Sequence, residues 1–157
     1  MVVLIGFLAA ACGSETLTDQ TRRSSDGEIV EAGSIGTTRL RVGDCFDEPA
    51  AGTIRVVNGV PCTDPHDAQV VARLSVGGDG AWPGAEALIA EARPGCSEAA
   101  ASAASALIDV VGAPEVGLSA YVPDAPAWSD GDRNIICWVE AAEGEKLAVD
   151  LVPEADA

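Results

Sequence analysis

Basic and aromatic residues are scarce in this 157-residue chain. Nine Lys and Arg stand against 25 Asp and Glu, so the formal net charge is −16 and the pI is near 4.1. The phosphates of nucleic acids and anionic lipid headgroups would be repelled by such a chain, which argues against both as electrostatic partners. Aromatic residues make up only 4% of the sequence. We therefore expect one domain with a modest core and no nucleic-acid partner.

The common catalytic motifs are also missing. The chain has no Gly-x-Ser-x-Gly elbow, no Walker loop and no glycine-rich turn between a strand and a helix. Its single histidine, His66, is the one imidazole base that a serine hydrolase would have. We predict no enzymatic activity, no cofactor and no bound metal, and an envelope hydrolase is the least favoured alternative.

No apolar run is long enough to span a membrane. A spanning helix needs about 20 apolar residues, and the run at residues 1–11 stops short of that length. Residues 8–12 read Leu-Ala-Ala-Ala-Cys, which resembles the lipobox at which bacterial lipoproteins are cleaved and acylated. We predict a signal peptide over residues 1–11, palmitate or a similar acyl chain on Cys12, and a lipid-anchored position on the extracytoplasmic face of the cell membrane. A cleaved signal without lipid and a retained anchor are the alternatives, because no Lys or Arg precedes the apolar run.

Residues 12–38 carry Ser, Thr, Asp, Glu and Gly with few large apolar residues. A segment of that composition cannot bury enough surface to offset the entropy lost on ordering. We predict a flexible tether here, with an end-to-end distance of about 28 Å for a random coil. The folded domain is placed at residues 39–153 and a disordered tail at residues 154–157.

Short alternations of apolar and polar residues predict strands. They cover residues 38–42, 53–57, 68–74, 118–122, 134–140 and 147–152. In the first of these strands Leu40 and Val42 are expected to point inward. The last two strands are expected to form a hairpin through residues 142–145.

The pattern changes to a helical period over residues 84–110. Pro94 is expected to end one helix and begin a second, because proline suits the first position of a helix. Apolar residues recur at helical spacing in the second part and predict a core-facing side: Cys96, Ala100, Ala103, Leu107 and Val110. The predicted fold class is α+β, a small antiparallel sheet with a two-part, alanine-rich helical segment packed on one face.

Five cysteines become an even set of four once Cys12 carries lipid. Four cysteines allow three pairings, and sequence alone does not choose among them. Proximity favours two pairs. Cys45 and Cys62 bracket the first predicted hairpin, which contains the strand at residues 53–57, and Cys96 and Cys137 both face the core. In the chain-entropy model such bridges contribute about 3–4 kcal/mol each.

Several strings in a fixed order carry a family resemblance. Residues 40–46 read Leu-Arg-Val-Gly-Asp-Cys-Phe, residues 62–66 match Cys-x-x-Pro-His, Cys96 follows, and residues 128–137 match Trp-x-x-Gly-Asp-Arg-x-x-x-Cys. This order resembles the actinobacterial septum-formation domain. That family consists largely of exported lipoproteins and membrane-anchored proteins, and its name implies a link with cell division. The resemblance implies an envelope or division protein as partner.

The same strings supply candidate residues for contact with a partner or ligand: His66, Asp67, Trp128, Asp132 and Arg133. Each has a simpler structural interpretation. His66 suits a turn before a strand, Trp128 suits packing on the core, and residues 132–133 suit a hydrogen-bonded turn. Zinc at Cys62 and His66 is disfavoured because a bridged cysteine cannot ligate, and calcium at residues 130–132 because too few oxygen ligands are present.

We expect a lipid-anchored extracytoplasmic binding module, an accessory in septum formation or cell-envelope assembly. A small-ligand or ion-binding receptor domain is the alternative. Neither expectation names a ligand, because no motif in the chain specifies one.

Overall fold

The computed structural model describes residues 19–48, 55–78 and 80–152. Its strands are β1 (Arg22–Arg23), β2 (Ile29–Glu31), β3 (Gly33–Gly36), β4 (Cys45–Asp47), β5 (Val56–Val60), β6 (Ala68–Ser75), β7 (Val116–Tyr121) and β8 (Asn134–Ala141). Its helices are α1 (Ala85–Ala104) and α2 (Ala125–Ser129), with short 3-10 turns at Thr37–Arg39 and Ser105–Leu107. The predicted α+β class with an antiparallel sheet is confirmed.

Six strands form the main sheet in the order β3-β5-β4-β6-β8-β7, and each neighbouring pair is antiparallel. Strand β8 is buried on both faces, because one side meets α1 and the other meets a second apolar cluster. In that second cluster the rings of Phe46 and Trp138 meet edge to face with centroids 5.7 Å apart. A strand covered on both faces needs successive apolar residues, which accounts for the unbroken run from Ile135 to Val139.

Helix α1 packs on β6 and β8 through Leu88, Ala92 and Cys96, which are four residues apart and so lie on one face. The predicted break at Pro94 is wrong, since α1 runs continuously through that residue. Pro94 is exposed, so the carbonyl that its missing N–H leaves unbonded is on the solvent side, where water can bond it. Packing before Pro94 and the Cys96–Cys137 bridge after it hold both halves of the helix to the sheet.

Two predicted strands are absent from the described residues. Over residues 38–42 the backbone forms a 3-10 turn and a bend, in which Leu40 is buried as expected but Val42 is 48% exposed. Over residues 147–152 the pairing consists of one bridge between Leu147 and His66, so the predicted hairpin is also wrong. The apolar residues of this C-terminal segment pack against the core cluster under α1 instead of forming a ladder.

The predicted tether over residues 12–38 overlaps ordered structure. Residues 12–18 lie outside the described part, but residues 22–36 contain β1, β2 and β3, and β3 pairs with β5. Two large apolar side chains, Ile29 and Ile35, are buried there. A Cβ at residue 59 would lie 2.9 Å from Cδ1 of Ile29, so Gly59 permits a close approach that composition does not reveal. Residues 58–59, which follow the predicted strand at residues 53–57, are accordingly part of β5.

Both predicted disulfides are confirmed. Cys45 bonds Cys62 with 5.2 Å between their Cα atoms, and Cys96 bonds Cys137 with 5.7 Å. The predicted signal peptide, the acylated Cys12 and the C-terminal tail lie outside the described residues. Within those residues the structure contains no helix that combines the length and apolar character needed to cross a membrane.

Candidate functional site

A groove of about 990 Å³ opens beside the Cys45–Cys62 disulfide. Four segments line it, namely residues 26–30 around the β1–β2 turn, residues 41–45 leading into β4, residues 61–64 after β5, and residues 148–150 with 152. Because these segments are far apart in sequence, the shape of the groove depends on the contacts that hold them together.

The disulfide joins two of the walls. Cys45 is fully buried at the start of β4, and Cys62 lies in the turn after β5. Its Sγ lies 3.2 Å from the carbonyl oxygen of Gly43. Gly43 has a φ of 90°, a backbone conformation that glycine adopts without strain, so the bend before β4 depends on that residue.

A buried ion pair attaches the third wall. The guanidinium of Arg23 donates two hydrogen bonds to the carboxylate of Asp44, at 2.5 and 2.8 Å, and a third to the carbonyl oxygen of Gly27 at 2.8 Å. The side chains of Arg23 and Asp44 are only 11% and 4% exposed. The hydrogen bond to Asp44 raises the pKa of Arg23. This pair fixes the β1–β2 hairpin to the bend that precedes β4.

Gln69 attaches the C-terminal wall. Its side-chain amide is fully buried and donates to the carbonyl oxygen of Gly43 at 3.1 Å and to the carboxylate of Asp150 at 2.5 Å. Its carbonyl oxygen accepts the N–H of Leu151 at 2.6 Å. A buried amide with all of these bonds made holds its neighbours in one arrangement. Gln69 thus links β6, the bend at Gly43 and residues 150–151.

The lining of the groove is acidic and partly apolar. Asp44 is neutralised by Arg23, whereas four other carboxylates of the lining have no basic partner among the described residues: Asp26, Glu28, Asp64 and Asp150. The hydroxyl of Ser25 donates to Asp26 and lowers the pKa of its carboxyl group. Among the residues that the structure describes, the exposed Arg41 is the one basic residue of the lining. Val30 and Val42 add side chains that are 40% and 48% exposed.

Three of the predicted contact residues, Trp128, Asp132 and Arg133, lie together at the start of β8. The guanidinium of Arg133 stacks over the Trp128 ring at 3.7 Å from its centroid and donates to the Trp128 carbonyl oxygen at 2.7 Å. Asp132 accepts from the hydroxyl of Tyr121 at 3.1 Å and from the backbone N–H of Asn134 at 3.0 Å. Burial and the neighbouring Asp132 raise the pKa of Tyr121 to about 12. The polar groups of this cluster thus form hydrogen bonds with other groups of the fold.

His66 and Asp67 lie at the other end of β8. The His66 ring is fully buried, its Nδ1 lies 2.8 Å from the carbonyl oxygen of Asp64, and its backbone exchanges hydrogen bonds of 3.0 and 2.8 Å with Leu147. Asp67 pairs with Lys146 at 2.7 Å. In the β6–β8 register this end is about 20 Å from the start of β8, at about 3.3 Å a residue. The five predicted residues therefore do not form a single site.

A second, smaller depression of about 330 Å³ lies beside Asp67 and contains Glu48 and Glu140. Burial and the nearby carboxylates of Glu140 and Asp67 raise the pKa of Glu48. Across residues 19–48, 55–78 and 80–152, no three His, Cys, Asp or Glu side chains are grouped in a way that could hold a metal ion. The acidic residues at this depression are thus not arranged as a metal centre.

Sequence reasoning missed the residues that build the larger groove. Asp44 lies in the string that carries the family resemblance, but nothing local indicates that Arg23, 21 residues earlier, is its partner. Gln69 is a polar residue in the predicted strand at residues 68–74, yet it is fully buried and contacts residues 81 and 82 positions away. Contacts over such distances leave no periodic signal in a single sequence.

The described residues thus define a small, disulfide-stapled α+β domain with an acidic groove held by buried polar contacts. The family model described as septum formation matches residues 9–137, and the chain belongs to that family. The match confirms the resemblance carried by residues 40–46, 62–66 and 128–137. The search of curated proteins and the search of solved structures found no match.

Proposed function

We propose that this protein is an extracytoplasmic binding module, anchored by an acylated Cys12, that serves as an accessory in septum formation or cell-envelope assembly. Membership of the septum-formation family supports a role in cell division or the envelope. The groove supports a binding role in particular.

The observation that carries this proposal is how the groove is built. The Arg23–Asp44 pair and the Gln69 hydrogen bonds join the lining segments to one another, so they maintain the shape of the groove and leave its rim for contact with another molecule. His66, the single imidazole of the chain, is fully buried and does not line the groove. Both features favour binding over hydrolysis.

The described fold begins at Asp19, which changes the expected distance from the membrane. Seven residue steps separate Cys12 from Asp19 and span at most about 25 Å when fully extended. A lipid on Cys12 would therefore keep Asp19, the first described residue, within that distance of the bilayer. Partners at or near the membrane surface are then accessible to the domain.

Mass spectrometry and thiol titration of the protein purified from membranes test the assignment of Cys12 to lipid and of the other four cysteines to disulfides. The intact mass should correspond to a chain that begins at an acylated Cys12, and thiol titration should find none of the four remaining cysteines reduced. Cys12→Ala should move the protein from the membrane fraction to the soluble fraction. Unchanged membrane retention of Cys12→Ala would contradict lipid anchoring.

A small-ligand receptor domain is the second candidate, and the volume of the groove favours it. Pockets for small molecules occupy about 300–1,000 Å³, and this groove lies at the top of that range. A thermal-shift measurement with cell-wall fragments and with calcium separates the candidates. A saturable increase in Tm with a wall fragment supports the receptor function, and no shift with either supports a protein partner.

A further inference from the structure

The charge of the groove limits what it can bind. The lining has four carboxylates without a basic partner among the described residues, at positions 26, 28, 64 and 150, and one exposed guanidinium, that of Arg41. Neutral donors bond Asp150, namely Gln69 and the N–H of Val152, so its charge is not cancelled. Anionic molecules would be repelled from these walls, and a group that bears positive charge would be attracted.

The apolar part of the lining further limits the classes of ligand that fit the groove. Val30 lies on the hairpin wall, Val42 on the bend before β4, and Val149 and Val152 on the C-terminal wall. These residues belong to three of the four lining segments. Val30 and Val42 are 40% and 48% exposed, whereas Val149 and Val152 are partly buried against the core. A metal ion or a polyamine would leave this surface in contact with water. A ligand with both cationic and branched apolar groups would cover it, which stabilises the complex in proportion to the apolar area buried.

Polypeptide is the class of molecule that provides both kinds of group at short spacing. We infer that the groove is a docking site for a Lys- or Arg-bearing polypeptide segment of a partner protein, with apolar side chains between the basic ones. This inference rests on the proposed function as a binding module and adds the chemistry of the bound segment. A volume of about 990 Å³ holds a short segment, not a whole domain.

Fluorescence anisotropy with a defined probe tests the inference. The full chain, solubilised in detergent, is titrated into a short fluorescein-labelled peptide of alternating Lys and Val. Two further peptides serve as controls, one with Glu in place of Lys and one with Ser in place of Val. The Lys/Val peptide should bind most tightly, and its affinity should fall as salt is raised, because exposed charges are screened.

A chain of net charge −16 attracts any cation, so the variants must separate the groove from the overall charge. Asp26→Lys combined with Glu28→Lys reverses two groove charges. Glu91→Lys combined with Glu98→Lys reverses two exposed charges on α1, away from the groove, and gives the same net charge. The groove double variant should lower the affinity for the Lys/Val peptide about tenfold or more, and the helix double variant should lower it less than about threefold.

A second matched pair of variants tests the contribution of the apolar side chains to peptide binding. Val42→Ser should lower the affinity for the Lys/Val peptide and leave the affinity for the Lys/Ser peptide unchanged. Val111→Ser, at an exposed position outside the groove, should change neither affinity. Equal losses from the groove and helix charge pairs would overturn the inference, because attraction to net charge alone would explain the binding. Equal affinity for the Lys/Val and Lys/Ser peptides, or no binding of either, would also overturn it.

The peptide assay uses purified protein and therefore fails independently of the proposed function. If a division protein is identified in contact with a different face while the peptide results are negative, the binding function stands and the groove inference does not. If the peptide results are positive but no envelope protein contacts the domain in cells, the groove chemistry stands and the role in the envelope does not.

Discussion

Replacing Arg23 with Ala tests whether the N-terminal hairpin is an integral part of the fold. The substitution removes both hydrogen bonds to Asp44 and the one to Gly27, and leaves a carboxylate that is 4% exposed without its cation. Removing one partner of a buried ion pair costs about 3–5 kcal/mol. Since a domain of this size has about 5–15 kcal/mol of stability in total, the loss should be large.

The neighbouring Arg22 provides the matched control. It lies in the same strand and pairs with Glu31, but both side chains are more than 60% exposed. An exposed pair contributes about 0–1 kcal/mol, so Arg22→Ala should change stability little. Charge, side-chain size and strand are the same in the two variants. They differ in the burial of the ion pair and in the additional contacts that Arg23 makes with the Gly27 carbonyl oxygen and the Asp19 carboxylate.

Urea unfolding of the full chain in detergent, followed by tryptophan fluorescence, gives the two free energies. Hydrogen exchange at the amides of Ile29 and Ile35 reports on the hairpin and on β3 locally, and Arg23→Ala should reduce the protection of Ile29 first. A cost for Arg23→Ala within about 1 kcal/mol of that for Arg22→Ala, with protection unchanged, would refute the reasoning.

Three further predictions concern stability. Replacing both Cys96 and Cys137 with Ala should lower the free energy of unfolding by about 4 kcal/mol, as expected for a bridge across 41 residues, and thermal unfolding measures it. Gln69→Leu should cost about 2–4 kcal/mol in the same measurement, because buried groups at Gly43 and Leu151 lose their hydrogen-bond partner. The raised pKa of Glu48 means that ionising it is harder in the folded state than in the unfolded one. The free energy of unfolding should therefore fall as the pH rises from 4.5, the ordinary pKa of Glu48, through the raised pKa of the folded state. Glu48→Gln should remove that fall.

The sequence predicted well where local patterns decide the structure. The alternation at residues 68–74 and the apolar run at residues 134–140 correspond to β6 and β8, because both lie inside the sheet and their side chains follow its pleat. Both disulfides agree with the pairing that proximity favoured. For the second bridge the local pattern was informative, because Cys96 lies on the apolar face of a helix and Cys137 lies on an inward strand position.

It predicted poorly where distant contacts decide the structure. The segment that contains Arg23 and Ile29 has the composition of a flexible chain. It is nevertheless ordered by the buried Arg23–Asp44 pair, by the pairing of β1 with β2 and of β3 with β5, and by close packing on Gly59. Residues 147–152 have the alternation of a strand, but Gln69 and the core under α1 fix them in an irregular path. The groove forms where these two segments meet the Cys45–Cys62 bridge, so the sequence did not reveal it.

A photo-cross-linking amino acid at Val42 in dividing cells tests whether the groove binds a partner protein, because this residue lines the groove and is 48% exposed. The same substitution at Val111, exposed and outside the groove, is the control. We expect a cross-link from Val42, and none from Val111, to a Lys- or Arg-bearing segment of an envelope or division protein. A cross-link to such a protein from Val111 but none from Val42 would contradict that expectation.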